Sequence, residues 1–425
     1  MFKSVIKPLL ILAVAVGFSS CTDTTTETIT YTANVPVYMS YNDFRSSFKV
    51  SEPQDIETPG KIYFKDSYLF VNEREKGIHV IDNSNPAAPV KIAFYNILGN
   101  VDMAIKGDKL FADSFIDLVV FDISDVRNPV EIGRVENVFP EVVPIGDFYF
   151  PCVQVDKSKG IVVDWETQSV TDQYTINYNP WWWRGEFDFT VATANGPLSA
   201  GSGIAGSMAR FMLSENYLYT IATPYSLETF EISTPSTPVR VDSIGTSRFM
   251  ETLFKHENHL FVGTNNGLLI YIISAASKPN LVSEYNHVTA CDPVVVDGQY
   301  AYVTLRSGNQ CNNAANVLEV IDISSITTPY LVKQYPMFNP HGLGIDENLL
   351  FICDGDAGLK VYNRQDPLSI LQNQLAHFTD INTFDVIPYN GVLMLIGADG
   401  IYQYDYSNPQ DIRLLSTLSI STQEK

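Results

Sequence analysis

One feature constrains this chain more than any other: it repeats. Seven segments share an order of a small turn, an alternating apolar run, an Asp-x-Ser-like step and then proline. They are GIHVIDNSNPAAPV (77–90), LVVFDISDVRNPVEI (118–132), LETFEISTPSTPVRV (227–241), LLIYIISAASKPNLV (268–282), LEVIDISSITTPYLV (318–332), LKVYNRQDPLSI (359–370) and IYQYDYSNPQDIRLL (401–415). Upstream of each lies an apolar strand, a polar turn and an aromatic-rich strand, as in VVVDGQYAYV (294–303). An eighth, weaker copy without the proline spans 145–166. A period of roughly 40–45 residues with about four short strands per copy indicates a β-propeller rather than a helical solenoid. Two-residue alternation rich in β-branched and aromatic residues supports strands, and no sustained helical periodicity competes with it.

The expected architecture is therefore all-β: eight four-stranded blades over 60–420, or seven if the copy without proline is degenerate. The Asp-x-Ser steps read as side chains that hydrogen-bond local backbone and pin a turn, with proline where no ladder N–H is needed. Residues 35–59 form an extension whose alternating VPVYMSY could add a strand to the closing blade or plug a channel mouth. An insertion at about 178–207 interrupts the array. Its tail, ANGPLSAGSGIAGS (194–207), has the Gly/Ser composition of a flexible linker.

These repeats resemble the LVIVD repeat of bacterial envelope proteins, through strands such as LVVFDIS and VLEVIDIS, over roughly residues 60–415. The whole chain resembles the LVIVD lipoproteins of Bacteroidetes. That resemblance implies the fold and an envelope location, and it brings no catalytic motif with it.

The N-terminus points to the same address. MFKSVIKPLLILAVAVGFSSC has a basic start, about ten apolar residues and small residues before Cys21. That run is short of the roughly 20 residues of a membrane-spanning helix and reads as a secretory signal over 1–20. Small residues followed by cysteine resemble a lipobox, which implies lipidation of Cys21 and a polar tether over 21–34. The following TDTTTETIT resembles loosely the acidic tag of surface-exported lipoproteins. The expected place is the outer membrane, on its surface or periplasmic side. With 27 Lys+Arg against 48 Asp+Glu, the net charge of −21 argues against nucleic acid and against adsorption to an anionic bilayer. Membrane contact is expected through the lipid alone, and the chain as a monomer.

Chemistry is sparse. There is no GxSxG, P-loop, GxGxxG or HExxH pattern. DGDAG (354–358) resembles the start of a Ca²⁺ loop, with Asp354 and Asp356 two apart, but lacks the later bidentate glutamate. FNPHGLGID (338–346) resembles inner strands of lyase and gluconolactonase-like propellers. No second histidine lies level with His341, so neither a metal centre nor another cofactor is expected. Aligned on their turns, the repeats put Gly60, Val101, Pro140, Ala209, Glu251, Asp292, His341 and Phe384 at one level of the axis. The next level holds Lys61, Asp102, Glu141, Arg210, Thr252, Pro293, Gly342 and Asp385. Three consecutive tryptophans, Trp181, Trp182 and Trp183, stand in the insertion as a binding patch or a plug. Cys291 and Cys311 are placed for a disulfide on one face of one blade, and Cys152 and Cys353 in separate strands as buried thiols.

The function expected is a binding or scaffolding module for an envelope protein or glycan. Its candidate ligand-binding residues are Trp181, Trp182, Trp183, Arg210, Glu251, Asp292, His341, Asp102 and Asp385. The alternative is a hydrolase or lyase acting at the central channel through Glu251, Asp292, Asp385 and His341.

Overall fold

The computed structural model describes residues 27–139, 142–174, 204–205, 207, 209–286, 293–307 and 316–421. Seven four-stranded antiparallel blades form a closed ring, at 59–96, 103–135, 211–245, 250–286, 294–336, 343–378 and 383–419. In each blade the strands run from the axis outward in chain order, A to D, and the inner strand of blade 7 lies against that of blade 1. The propeller is thus seven-bladed, and the eight-blade expectation is corrected. The copy at 145–166 is not a blade, because its extended part pairs elsewhere. Strand Ile161–Tyr174 and the N-terminal strand Glu27–Met39 make a long two-stranded ribbon outside the ring. The segment VPVYM lies within that ribbon, neither closing a blade nor filling the channel. The expected tether is likewise strand from Glu27 onward.

Each blade is sandwiched between two neighbours, so its middle strands are buried on both faces. This is why they read as near-continuous apolar runs rather than alternating ones. Phe70, Phe111, Tyr219, Phe261, Tyr302, Phe351 and Met394 sit at corresponding levels of the B strands and are all essentially inaccessible. The apolar clusters accordingly span blade boundaries, one joining blades 1 to 3 and another blades 4 to 6. The outer D strands, with solvent on one side, alternate.

Turn chemistry is uniform at one end. Every A–B hairpin has two turn residues, and the first takes a left-handed φ, as at Asp66 (55°), Glu215 (50°), Glu347 (48°) and Asn390 (49°). Gly107 and Gly298 fill that position without a Cβ penalty. The C–D connections carry the Asp-x-Ser step as a turn-pinning device. Asp82, Asp122, Asp322 and Asp405 each accept the backbone N–H two residues on, at 2.8–3.0 Å. The Ser84, Ser324 and Ser407 hydroxyls on Asp82, Asp322 and Asp405, together with these backbone bonds, hold the four carboxyls below the usual range, Asp122 at about 2. A carbonyl two residues past that serine-level position then accepts a hydroxyl from the preceding blade. Tyr95 reaches Val126 O, Tyr219 reaches Ala276 O, and Tyr335 reaches Pro367 O, each at 2.6 Å. Ser283 and Ser416 do the same to Ile326 O and Pro86 O. Just inside these connections, every C–D pair slips register by a bulge, which twists the outer edge and blunts it against edge-to-edge pairing.

The ring closes without a strand shared between its first and last blades. Asn83 and Gln403 exchange two buried amide hydrogen bonds of 2.9 and 2.7 Å across that seam. Ser421 N donates to Ile56 O at 2.7 Å beside it. The N-terminal segment then wraps blades 1 and 2. Strand Lys49–Ser51 covers the outer edge of blade 1, and helix Tyr41–Arg45 seats Phe44 beside Phe115 and Ile161. Arg45 and Arg134 both bond the fully buried Asp117 carboxylate, at 2.9 and 3.1 Å.

If the inter-blade hydroxyl bonds hold neighbouring blades in register, Tyr95→Phe should lower unfolding stability by about 1 kcal/mol with the fold intact. Denaturant titration followed by circular dichroism measures this, and an unchanged midpoint would assign the contact no weight.

Candidate functional site

At the axis, the first residues of the inner strands meet. The structure brings Lys61, Asp102, Arg210 and Asp385 together, as the repeat alignment expected, with Lys61, Asp102 and Asp385 buried and Arg210 half-buried. Lys61 Nζ lies 2.7 Å from Asp102 Oδ2, with both side chains nearly inaccessible. That oxygen also accepts Arg210 N at 2.5 Å, and the Arg210 guanidinium donates to Ile221 O. Asp102 Oδ1 takes Met103 N.

A second level, which the sequence reading missed, comes from the ends of the B strands. Asp113 Oδ1 accepts Val101 N, Asp102 N and Asn100 Nδ2 at 2.8–2.9 Å, and burial pushes the carboxyl up to about 6. Asn72 occupies the matching position in blade 1 and donates to Asn100. The available signal was a polar residue ending an otherwise apolar B strand.

Asp385 differs from its neighbours. It is fully buried, its Oδ1 accepts Val386 N, and its Oδ2 has no hydrogen-bond partner. Burial raises its carboxyl well above the ordinary 3.8, with Lys61 only partly opposing. It fits because residue 342 is glycine: a Cβ there would stand 2.4 Å from Asp385 Oδ1.

The channel itself is entered by chain. Strand Ile204–Ala205 pairs antiparallel with Tyr63 and Phe64 on the axial edge of blade 1. Ser207, fully buried, accepts Leu343 N from blade 6 through its hydroxyl. This end of the insertion, expected to be a flexible tail, is therefore tied to both sides of the axis. Two backbone pairings and one hydroxyl bond outweigh its linker-like composition.

His341 is 6% exposed and stacks edge-on against Phe384. Its Nε2 lies 3.3 Å from Asn339 Nδ2, and burial beside Arg306 lowers its pKa to about 3, so the ring is neutral. Among the described residues no three or more His, Cys, Asp or Glu side chains group as metal ligands. Asp354, in the Ca²⁺-like turn, is instead occupied by Phe338 N, Asn339 N and Lys360 Nζ. Glu251 is half-buried and sits at the bulge that starts the inner strand of blade 4. Cys353 is buried as expected, whereas Cys152 is exposed, because the stretch around it is a loop beside the ribbon and not a blade strand. Cys21, Pro140, Glu141, Trp181, Trp182, Trp183, Cys291, Asp292 and Cys311 lie outside the described residues, and no disulfide occurs among the described ones.

The two ends of the ring differ sharply. At the A–B end, turns are two residues long, and C–D connections are seven residues in every blade but the sixth. A groove of about 350 Å³ lies there between blades 1 and 2, lined by residues of both charge signs including Lys65, Asp66, Asp125 and Arg127. At the other end, the B–C and D–A connections range from two residues to the long excursion between Val135 and Phe211.

Four segments of the chain match the LVIVD repeat, at residues 60–97, 101–137, 256–287 and 289–336. These fall on blades 1, 2, 4 and 5, so the chain is a β-propeller that carries LVIVD repeats. No curated protein matches it in sequence. Among solved structures it is similar to a protein from Lactobacillus plantarum, at 11% identity over 86% of this chain and 98% of that one, with a TM-score of 0.53. The computationally designed Ika8 protein is similar at 12% identity, 88% and 92% coverage and a TM-score of 0.51. Sqt1 of Saccharomyces cerevisiae follows at 8%, 88% of each chain and 0.50. At such identities the likeness is one of fold.

Asp385 yields a pH test. Its folded pKa is raised, so the unfolded chain ionises first as pH climbs past about 4, and wild-type stability falls from there until the folded carboxyl ionises too. Asp385→Asn removes this term. Its stability relative to wild type should grow by up to about 1.4 kcal/mol per pH unit above pH 4. Parallel stability–pH curves for the two proteins would mean that Asp385 is ionised in the fold.

Proposed function

We propose that this chain is a lipid-tethered envelope propeller that binds a protein or glycan partner through the end bearing its B–C and D–A loops. The observation that carries the reading is the asymmetry of the ring. Loop length varies at one end and is held nearly constant at the other, and binding residues concentrate on variable loops carried by a rigid scaffold. The N-terminal helix and ribbon base occupy that end over blades 1 and 2. The binding surface accordingly belongs to the loops of blades 3 to 7, with Glu251, Asp292 and the three tryptophans of the insertion as its candidate contacts. Asp102, His341 and Asp385, buried, and half-buried Arg210 serve beneath it as support. Chemistry at the axis is the weaker reading: the acids there are paired or shielded, and chain already lies in the channel.

Tethering rests on the small-residue run ending at Cys21, and the partner is placed in the same envelope. Two measurements test the proposal. Cys21→Ser should move the protein out of the membrane fraction and remove its acyl-linked mass; unchanged mass and fractionation would mean that the address is wrong. A glycan array and an envelope-protein pull-down should identify a partner, whose affinity falls at least tenfold when Trp181, Trp182 and Trp183 are all replaced by Ala, with little change in melting temperature. A variant that melts early yet binds normally once folded would make the tryptophans structural.

A further inference from the structure

Among the described residues, the loop 142–151 gathers four exposed large apolar side chains within seven positions. Val143 is 42% exposed, Ile145 49%, Phe148 54% and Tyr149 84%. Part of its backbone is bonded from beneath, while the Asp147 side chain is exposed. Asn34, itself buried in the N-terminal strand, donates from Nδ2 to Asp147 O and Phe150 O at 2.8 and 2.9 Å. Asn34 N donates to Pro151 O at 2.9 Å, and Trp165 Nε1 to Pro144 O at 2.7 Å. The loop's one acid, Asp147, bonds the N–H of Tyr149. A loop whose backbone is clamped beneath and whose apolar side chains point outward is shaped to be covered.

Its position says by what. The clamp is on strand Glu27–Met39, the strand that leads back into residues 1–26 and the apolar run ending at Cys21. Asn34 lies seven residues up the strand from Glu27, about 23 Å at ~3.3 Å per residue. Six further steps separate Glu27 from Cys21, at most about 20 Å of slack. Slack of about 20 Å and the roughly 23 Å from Glu27 to Asn34 together let the loop reach the bilayer while residue 21 stays anchored. The tether keeps the bilayer permanently close, at a high effective concentration compared with any free partner. Aliphatic residues beside a Phe–Tyr pair are also the composition that settles at the headgroup boundary.

We infer that the loop 142–151 is a second membrane contact, in which Val143, Ile145 and Tyr149 enter the interfacial region of the bilayer that holds the N-terminal lipid. This rests on the tethered reading of Cys21. Docking there fixes the otherwise free rotation of the propeller about its tether.

The test uses the full acylated chain in vesicles of phosphatidylethanolamine and phosphatidylglycerol. A nitrobenzoxadiazole label is placed at Ile145→Cys, or at Tyr149→Cys should the first variant fold poorly, with Cys152, Cys291 and Cys311 changed to Ser. A Gln299→Cys label on the opposite end is the control. The loop label should shift to the blue on reconstitution and lose about half its emission when the acyl chains are brominated, as expected for side chains seated roughly 5–10 Å into the boundary. The control label should do neither. Vesicle-bound protein with a solvent-like, unquenched loop label overturns this inference and leaves the tether standing. A label already blue-shifted without lipid, and unquenched with it, overturns it in favour of cover by residues 175–203 or a second copy. Protein that fails to float with vesicles sinks the tether, and the inference with it.

Discussion

The C–D turn is the contact on which the ring depends. Its acid accepts the N–H two residues on, which sets the direction of the chain leaving strand C. The exposed turn carbonyl then meets a tyrosine or serine hydroxyl from the blade before it. A sheet of four strands cannot hide both faces by itself, so no blade is stable alone. Repeating the turn, with an inter-blade hydroxyl bond at five of the seven junctions, sets a similar lean of blade against blade. Apolar clusters that run across blade boundaries follow from that spacing.

Closing such a ring without a shared strand needs a separate device. Here the seam carries the reciprocal Asn83–Gln403 amide pair, and the chain on either side of the propeller, at Ile56 and Ser421, bonds across it. The axis is closed by different means. Lys61, Asp102, Asp113 and Asp385 are nearly inaccessible and Arg210 is half-buried, so three acids stand against two bases at the axis. Charge balance there favours one proton held among the acids, and the lone unpartnered oxygen of Asp385 is its natural place. The strand Ile204–Ala205 pairs with Tyr63 and Phe64, further along the same inner strand as Lys61.

Much of this was legible in the repeats. Their period, the Asp-x-Ser turns and the alignment of Lys61, Asp102, Arg210 and Asp385 all follow from register, because a strand's side chains alternate and each copy begins at the same depth. The miscount of blades has an equally plain cause. The copy at 145–166 has an apolar extended run, and a strand pattern does not say which strand it pairs with. The N-terminal strand Glu27–Met39 took it as partner, and the same pairing turned an expected tether into ordered ribbon. Asp113 and Asn100 escaped notice because their role is to satisfy backbone donors at the axis, and that role exists only once the ring is closed.

Sequence by itself determined the class of fold, the chemistry of the turns and the order of strands within each blade. These depend on two-residue periodicity and on short-range bonds between a side chain and backbone two residues away. Tertiary structure decided the number of blades, the burial of the axial charges, the pairing of residues 204 and 205 with blade 1, the bond of Ser207 to blade 6 and the clamping of loop 142–151 to Asn34. Each of these is a pairing between segments far apart in the chain. Nothing local in either segment specifies its partner, since a strand edge offers the same N–H and C=O groups to any strand that reaches it.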